Sequence, residues 1–346
     1  MPLTQAVIDN VANAAIDYHM DRGKLFYQQI QAKPLLDAMM KNKRFFPGGK
    51  GSITIRPVFE TQSSIQGFDS DDTLTFTNPT PIKTLTYQWK MLHLGIYMTT
   101  DELLRDGISV VDTNGAQVSE HSQRDVTMLA NILQAKLDDA AEGWAVGMNN
   151  ILWKDGTQSA KEFPGIQYFI TDDPTTGTVG GIDRATQPLW RNISLAGANA
   201  ITPAPATQPI TTALRKQVRQ LTRYGTPRHL ILCGSAFLDA LEAEVAEKGI
   251  YTQGGWNKSI NVGIGELSLN GLGTFKYDPT LDVLGKSKYC YFIDMSKFKL
   301  MPIEGEDFKK HYPARPHDKM VIYRSFTWAG GLVANQLNTS LVAAIA

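Results

Sequence analysis

Four carboxylates, Glu60, Asp69, Asp71 and Asp72, form the densest chemistry-bearing group in the sequence. Asp69 with Asp72 or Glu60 is the one pair that could serve as the acid and base of a hydrolase. No aromatic cluster accompanies them to build a pocket, and they fall in a polar, turn-rich stretch, QGFDSDDTLTFTNPTP. As hard-cation ligands they lack the glycine and the terminal glutamate of an EF-hand loop. The run Pro47-Gly48-Gly49-Lys50-Gly51-Ser52 superficially resembles a phosphate loop. A Walker motif, however, needs glycine where Arg44 stands and a helix afterwards, whereas strand-like residues follow here. Glu120-His121 is not HExxH, the six histidines are scattered, GxSxG is absent, and Cys233 and Cys290 form no CxxC pair. The sequence therefore offers no catalytic residues, no cofactor site and no metal site. Arg215, Lys216, Arg219, Arg223 and Arg228 form one basic face with only Tyr224 as a stacking aromatic. That is thin for single-stranded nucleic acid and suits a solvated or subunit-facing surface.

What must position these residues is more unusual than the residues themselves. From Ala116 to Asn149 no proline interrupts an apolar stripe of Val126, Leu129, Leu133, Leu137, Ala140, Trp144 and Met148, at alternating steps of three and four. A helix of that length runs roughly 45–50 Å, while a globular chain of this size has a radius of gyration of about 20 Å. One helix would cross the whole body. Two period-2 runs, from Ser52 to Glu60 and from Thr84 to Met91, predict a long hairpin around the acidic tip. Arms of about 15 residues reach roughly 50 Å, and a two-stranded ribbon needs another surface to be stable in water. Residues 57–82 carry four acids and no Lys or Arg, whereas residues 1–56 carry eight Lys/Arg against four Asp. Blocks of net −4 and +4 suit register and steering between copies, because single exposed pairs contribute little.

The remainder reads as mixed helix and strand. Residues 1–46 predict marginal helices, with apolar stripes at Val7, Val11, Ala14 and Tyr18 and then at Leu25, Phe26 and Ile30, before a short piece opened by Pro34. Thr211 or Thr212 is expected to cap a helix ending at Gly225, and Ser235 a second ending at Gly249. Strands are expected at His229 to Cys233, Tyr289 to Ile293 and Phe298 to Met301, with a hairpin turn at Leu269 to Leu272. Lys319 to Trp328 and Leu332 to Val342 should return to the long helix. Lys+Arg 34 against Asp+Glu 34 leaves no global basic field for nucleic acid. The N-terminus is not a signal peptide, and no apolar run reaches the ~20 residues of a membrane span. A soluble, intracellular chain with reduced, buried cysteines is expected.

PGIQYFI at Pro164 to Ile170, GGIDRAT at Gly180 to Thr186 and WRN at Trp190 to Asn192 resemble a recurrent block of tailed-bacteriophage major capsid proteins. PLLDAMMKNKRFFPGGKGSI, at Pro34 to Ile53, resembles their arm-to-loop segment. The resemblance implies an α+β chain with the HK-ninety-seven-type capsid fold. Its expected parts are an N-terminal arm (1–50), an extended loop or E-loop hairpin (51–97), a peripheral domain with a spine helix (98–165), an α/β axial domain (166–295) and returning peripheral strands (296–346). It further implies a structural subunit, not an enzyme, that self-assembles as hexamers and pentamers into the icosahedral head of a tailed phage around double-stranded DNA. Location in the virion after assembly in the host bacterial cytoplasm follows, with scaffolding, portal and decoration proteins as possible partners, packaged DNA touched only non-specifically and no membrane contact. A start at Met1 resembles members whose scaffolding is a separate protein. An encapsulin-like nanocompartment shell is the alternative with the same fold. Within this frame the candidate inter-subunit contacts are Lys41, Lys43, Arg44, Asp69, Asp71, Asp72 and Trp89, the acidic tip meeting the basic arm of a neighbour.

Overall fold

The apolar stripe folds as one helix, Gln123–Trp153, in the computed structural model, which describes residues 3–4, 32–105, 110–111, 123–225, 229–247, 262–263, 266–269, 271–311 and 321–346. Its 31 residues span roughly 46 Å at ~1.5 Å each. The expected start at Ala116 lies outside the described residues, and the helix continues past Asn149 to Trp153. Leu137, Ala141, Trp144, Ala145, Met148 and Leu152 are buried, which keeps the spacing of one face. At its C-terminal end the Trp153 ring lies 5.2 Å from that of Tyr291, and its Nε1 donates to Asp278 Oδ2 at 2.9 Å. Gly165 closes the last turn, its N–H donating to Lys154 O at 2.8 Å. A Cβ at Gly165 would stand 2.3 Å from the carbonyl oxygens of Ile151 and Leu152, so only glycine permits that approach.

Two sheets pack around this end of the helix. The first has seven strands in the order Val262–Gly263, Glu266–Leu269, Gly273–Tyr277, His229–Cys233, Tyr289–Asp294, Leu341–Ala344 and Ile193–Leu195. Its middle strands are apolar at nearly every position because both faces are covered. Tyr291, Ile293, Val342 and Ala344 face a core shared with the long helix, while Cys290, Phe292, Leu341 and Ala343 face a second core. Helices Pro209–Leu221 and Ser235–Glu247 close that second core with Leu214, Leu221, Phe237 and Leu241. Cys233 and Cys290 sit opposite each other in register there, both buried and both free thiols. The second sheet is built on the strand Val321–Ala334. It pairs with Lys90–Thr99 along one edge and with Phe298–Pro302 and Lys309–His311 along the other, all antiparallel.

Several expectations need correction. The run from Thr84 to Met91 is not one hairpin arm. Leu85–Tyr87 pairs with Ile53–Ile55, after which Lys90–Thr99 leaves the ribbon and enters the second sheet, beyond the expected ribbon limit at 97. The last strands also divide differently. Val321–Ala334 is a single 14-residue strand and Leu341–Ala344 joins the seven-stranded sheet; through Trp328, Leu332, Val342 and Ala344 both share a core with the long helix. Burial on both faces made the two runs look alike in sequence. Neither Thr211 nor Thr212 caps the helix Pro209–Leu221, whose N-cap is Gln208. The wholly buried Glu244 does this from the neighbouring helix, accepting from Ile210 N and Thr211 N at 2.9 and 3.0 Å. The stop expected at Gly249 and the stripes between Val7 and Ile30 lie outside the described residues.

Of the N-terminal segment, Pro34–Lys41 is helical and buries Leu35, Leu36 and Met39. Lys33 ties it to the long helix through Glu142 at 3.0 Å. Leu3–Thr4 pairs in parallel with Val110–Val111.

Candidate assembly interface

The ribbon is held at its root and free beyond it. Ile53, Leu85 and Tyr87 are buried in the main core, and the Tyr87 hydroxyl donates to Ala334 O at 2.8 Å. Burial raises the pKa of this phenol well above its ordinary value. The bracket around the root is the glycine-rich block from Thr178 to Asn192. Thr86 N donates to Gly180 O at 3.0 Å, and a Cβ on Gly180, at φ +62°, would press within 3.0–3.2 Å of Tyr87 and Leu85. Trp190 donates to Val179 O at 3.0 Å and lies 5.2 Å from the ring of Phe59. Arg184 is almost wholly buried, its guanidinium donating to Thr171 Oγ1 and Phe169 O. Arg191 in turn donates to the Arg184 and Ala185 carbonyls at 2.7 and 2.9 Å, and Asn192 bridges both backbone groups of Thr171. The residues of GGIDRAT and WRN thus make a hydrogen-bonded clamp and no reactive centre.

Beyond the bridge between Val58 and Ile82 the two passes form no ladder. Between residues 60 and 80 the one backbone–backbone bond is the turn Asp72 N to Asp69 O at 3.0 Å, and side chains of Gln62 and Gln66 accept from Thr80 N and Thr75 N. All of these residues are exposed, large apolar ones included: Ile65 is 103% exposed, Phe76 90%, and Phe68, Val58 and Ile82 more than half. Scattered apolar surface is ordinary. Four such side chains beyond the last bridge, Ile65, Phe68, Leu74 and Phe76, are not.

Asp69, Asp71 and Asp72 occupy the exposed turn at the tip, with Asp72 Oδ2 accepting from Asp69 N at 2.9 Å. Nothing encloses them, so no acid–base pair is set around a substrate. Among the described residues no cluster of His, Cys, Asp or Glu is placed to hold a metal. Lys43 is ion-paired within the chain to Asp307, while Lys41 and Arg44 are exposed with no ion pair among the described residues. Trp89 is half-buried against the chain's own core and donates to Lys50 O at 3.0 Å. Arg215, Lys216, Arg219 and Arg223 are exposed on the helix Pro209–Leu221 and the turn after it, and Arg228 lies outside the described residues.

One feature of this region went unread in the sequence. A cavity of about 270 Å³ opens at the root, with Val58, Phe59 and Trp190 on its apolar side and Lys297, Asn335 and Asn338 on its polar side. The polar run Asn335-Gln336-Leu337-Asn338 marks a break between two apolar strands but not the cavity beside it.

No protein-family model matches this sequence, and no curated protein matches it. Solved structures do match in fold. The capsid asymmetric unit of cyanophage A-1(L) superposes with a TM-score of 0.60 at 15% identity, covering 92% of this chain and 95% of that one. The capsid of Myoviridae phage XM1 gives 0.54 at 9% identity over 93% and 94%. The capsid of a native GTA particle gives 0.51 at 10% identity over 92% of each. The fold implied by the resemblance, that of tailed-phage major capsid proteins, is therefore the one this chain adopts.

Proposed function

We propose that this chain is the shell subunit of a tailed-phage head and that its activity is self-assembly around double-stranded DNA. The observation that carries this reading is the ribbon from residue 60 to 80, where every residue is exposed and the turn Asp72 N to Asp69 O is the one backbone–backbone bond made within the copy. Apolar surface removed from water contributes about 25 cal/mol per Å², and each backbone group left unpaired on burial would cost ~1–3 kcal/mol. Such a segment is stable only when a neighbour supplies both the burial and the hydrogen bonds. Many such contacts, each weak, then add by multivalency in a closed shell. Fold similarity to capsid structures supports the same reading.

Lys41 and Arg44 are the arm cations available to the Asp69–Asp72 tip of a neighbour, since Lys43 is committed to Asp307. Packaged DNA meets the shell through charge alone, with the Arg215–Arg223 face as the available cationic surface. The test is expression of the full chain, followed by sedimentation and negative-stain microscopy, with the nucleic-acid content of any particle measured. Closed shells from the wild type, and small species from a variant with residues 60–80 replaced by a short turn, are expected. A wild type that sediments as a small species under every assembly condition overturns the reading.

A further inference from the structure

The cavity at the ribbon's root contains two polar groups without a partner among the described residues. The Lys297 ammonium is half-buried with no carboxylate partner among the described residues. Asn335 Oδ1 is a buried acceptor without a donor among the described residues, an arrangement that is costly unless something fills it. Beside them Phe59 and Trp190 offer an aromatic wall. At about 270 Å³ the space falls just below the ~300–1,000 Å³ of drug-sized ligand sites. That is room for one or two side chains.

The complement of this set lies on the same chain. At the ribbon tip Phe68 is 62% exposed, the adjoining Asp69 and Asp71 are exposed carboxylates, and the backbone amides around them lack ladder partners. The tip does not fill its own root in this structure: Phe68, Asp69 and Asp71 are exposed and none of them lines the cavity. We propose that this cavity receives the ribbon tip of a second copy of this chain, Phe68 seated against the Trp190–Phe59 wall, Asp69 and Asp71 facing Lys297, and Asn335 Oδ1 accepting a backbone N–H of the incoming turn. The proposal rests on the shell reading above and names the receiving site.

The surroundings agree in charge. Asn42 Nδ2 donates to Phe298 O at 2.6 Å and to Met295 O, so the end of the Pro34–Lys41 helix abuts the turn that carries Lys297. Lys41 and Arg44 flank Asn42 in sequence, and the free ribbon contains no Lys or Arg. One copy presents the tip and the next presents the root, which is a heterologous, head-to-tail contact, and such contacts close into rings when the rotation permits.

The test uses the full chain under assembling conditions. With Ser70→Cys and Gln336→Cys in one chain, air oxidation of assembled particles is expected to give a ladder of covalent multimers on a non-reducing gel; Cys233 and Cys290 are buried and do not contribute. Lys297→Glu alone, and Asp69→Lys with Asp71→Lys, should each lower particle yield roughly tenfold or more, the scale of a close charge pair lost. Combining the two sets should restore most of it. Particles without a ladder overturn the proposal and leave the shell reading standing, whatever the charge variants do. A ladder without closed particles supports the pairing and sinks the shell reading. Neither ladder nor particles overturns both.

Discussion

The inner and outer parts of the ribbon both carry large apolar residues, and these meet opposite fates. At the root, Ile53, Leu85 and Tyr87 alternate with polar residues and are 0–4% exposed. Farther out, Ile65, Phe68, Leu74 and Phe76 are 47–103% exposed. Alternation forms paired strands at the root, whereas the outer run forms none. What differs is the surface available: the root lies under the clamp of Gly180 and Trp190, and the outer part has passed beyond it. The period-2 pattern at the root thus reports a face buried within one copy, whereas the outer run carries apolar residues without marking what covers them.

That contrast can be broken or sharpened by substitution, with unfolding of the unassembled chain as the readout. Leu85→Ala at the root should have the largest effect, about 2–5 kcal/mol in denaturant unfolding, because it removes wholly buried methyl groups and leaves a cavity. Tyr87→Phe should cost about 1–2 kcal/mol, since Ala334 O loses its donor in a dry site; an unchanged midpoint would mean that the root is looser than its burial implies. A pH experiment comes next. Burial holds the His229 pKa below its ordinary value, and its Nε2 lies 2.8 Å from Thr339 O. The unfolded chain therefore takes up a proton first as pH falls below ~6.5, and stability declines from there down to the folded pKa. Thermal unfolding between pH 7.5 and 5 should show that decline, His229→Gln should flatten it, and replacing residues 60–80 should leave it untouched. The smallest effect on folding belongs to the outer ribbon: Ile65→Ser with Phe76→Ser should change stability by no more than ~0.5 kcal/mol while abolishing particles. A large loss of monomer stability from that pair would erase the distinction between the two regions.

Much of this was legible in the residues. The spacing of Leu137, Trp144 and Met148 predicts the helix that the structure contains, and the acidic, turn-rich run predicts an exposed tip at Asp69 to Asp72. The resemblance carried by GGIDRAT and WRN led to the fold, but the work of those residues was opaque. Their hydrogen bonds run to Phe169, Thr171 and Val179 and to the Thr86 amide, partners defined only when distant segments meet. The cavity was invisible for the same reason. Val58, Trp190, Lys297 and Asn335 come from four separate stretches, and nothing in any one of them marks a shared space.

Local spacing, charge blocks and chain length by themselves determined a helix too long for an ordinary globule and a ribbon too long to cover itself, since period and rise are properties of the backbone. Only the tertiary structure decided where the ribbon stops being its own partner, which strand closes which sheet and that Glu244, not a threonine, caps a helix. Those outcomes depend on burial and on unpaired polar groups finding each other across the chain, and neither quantity exists until the segments are packed.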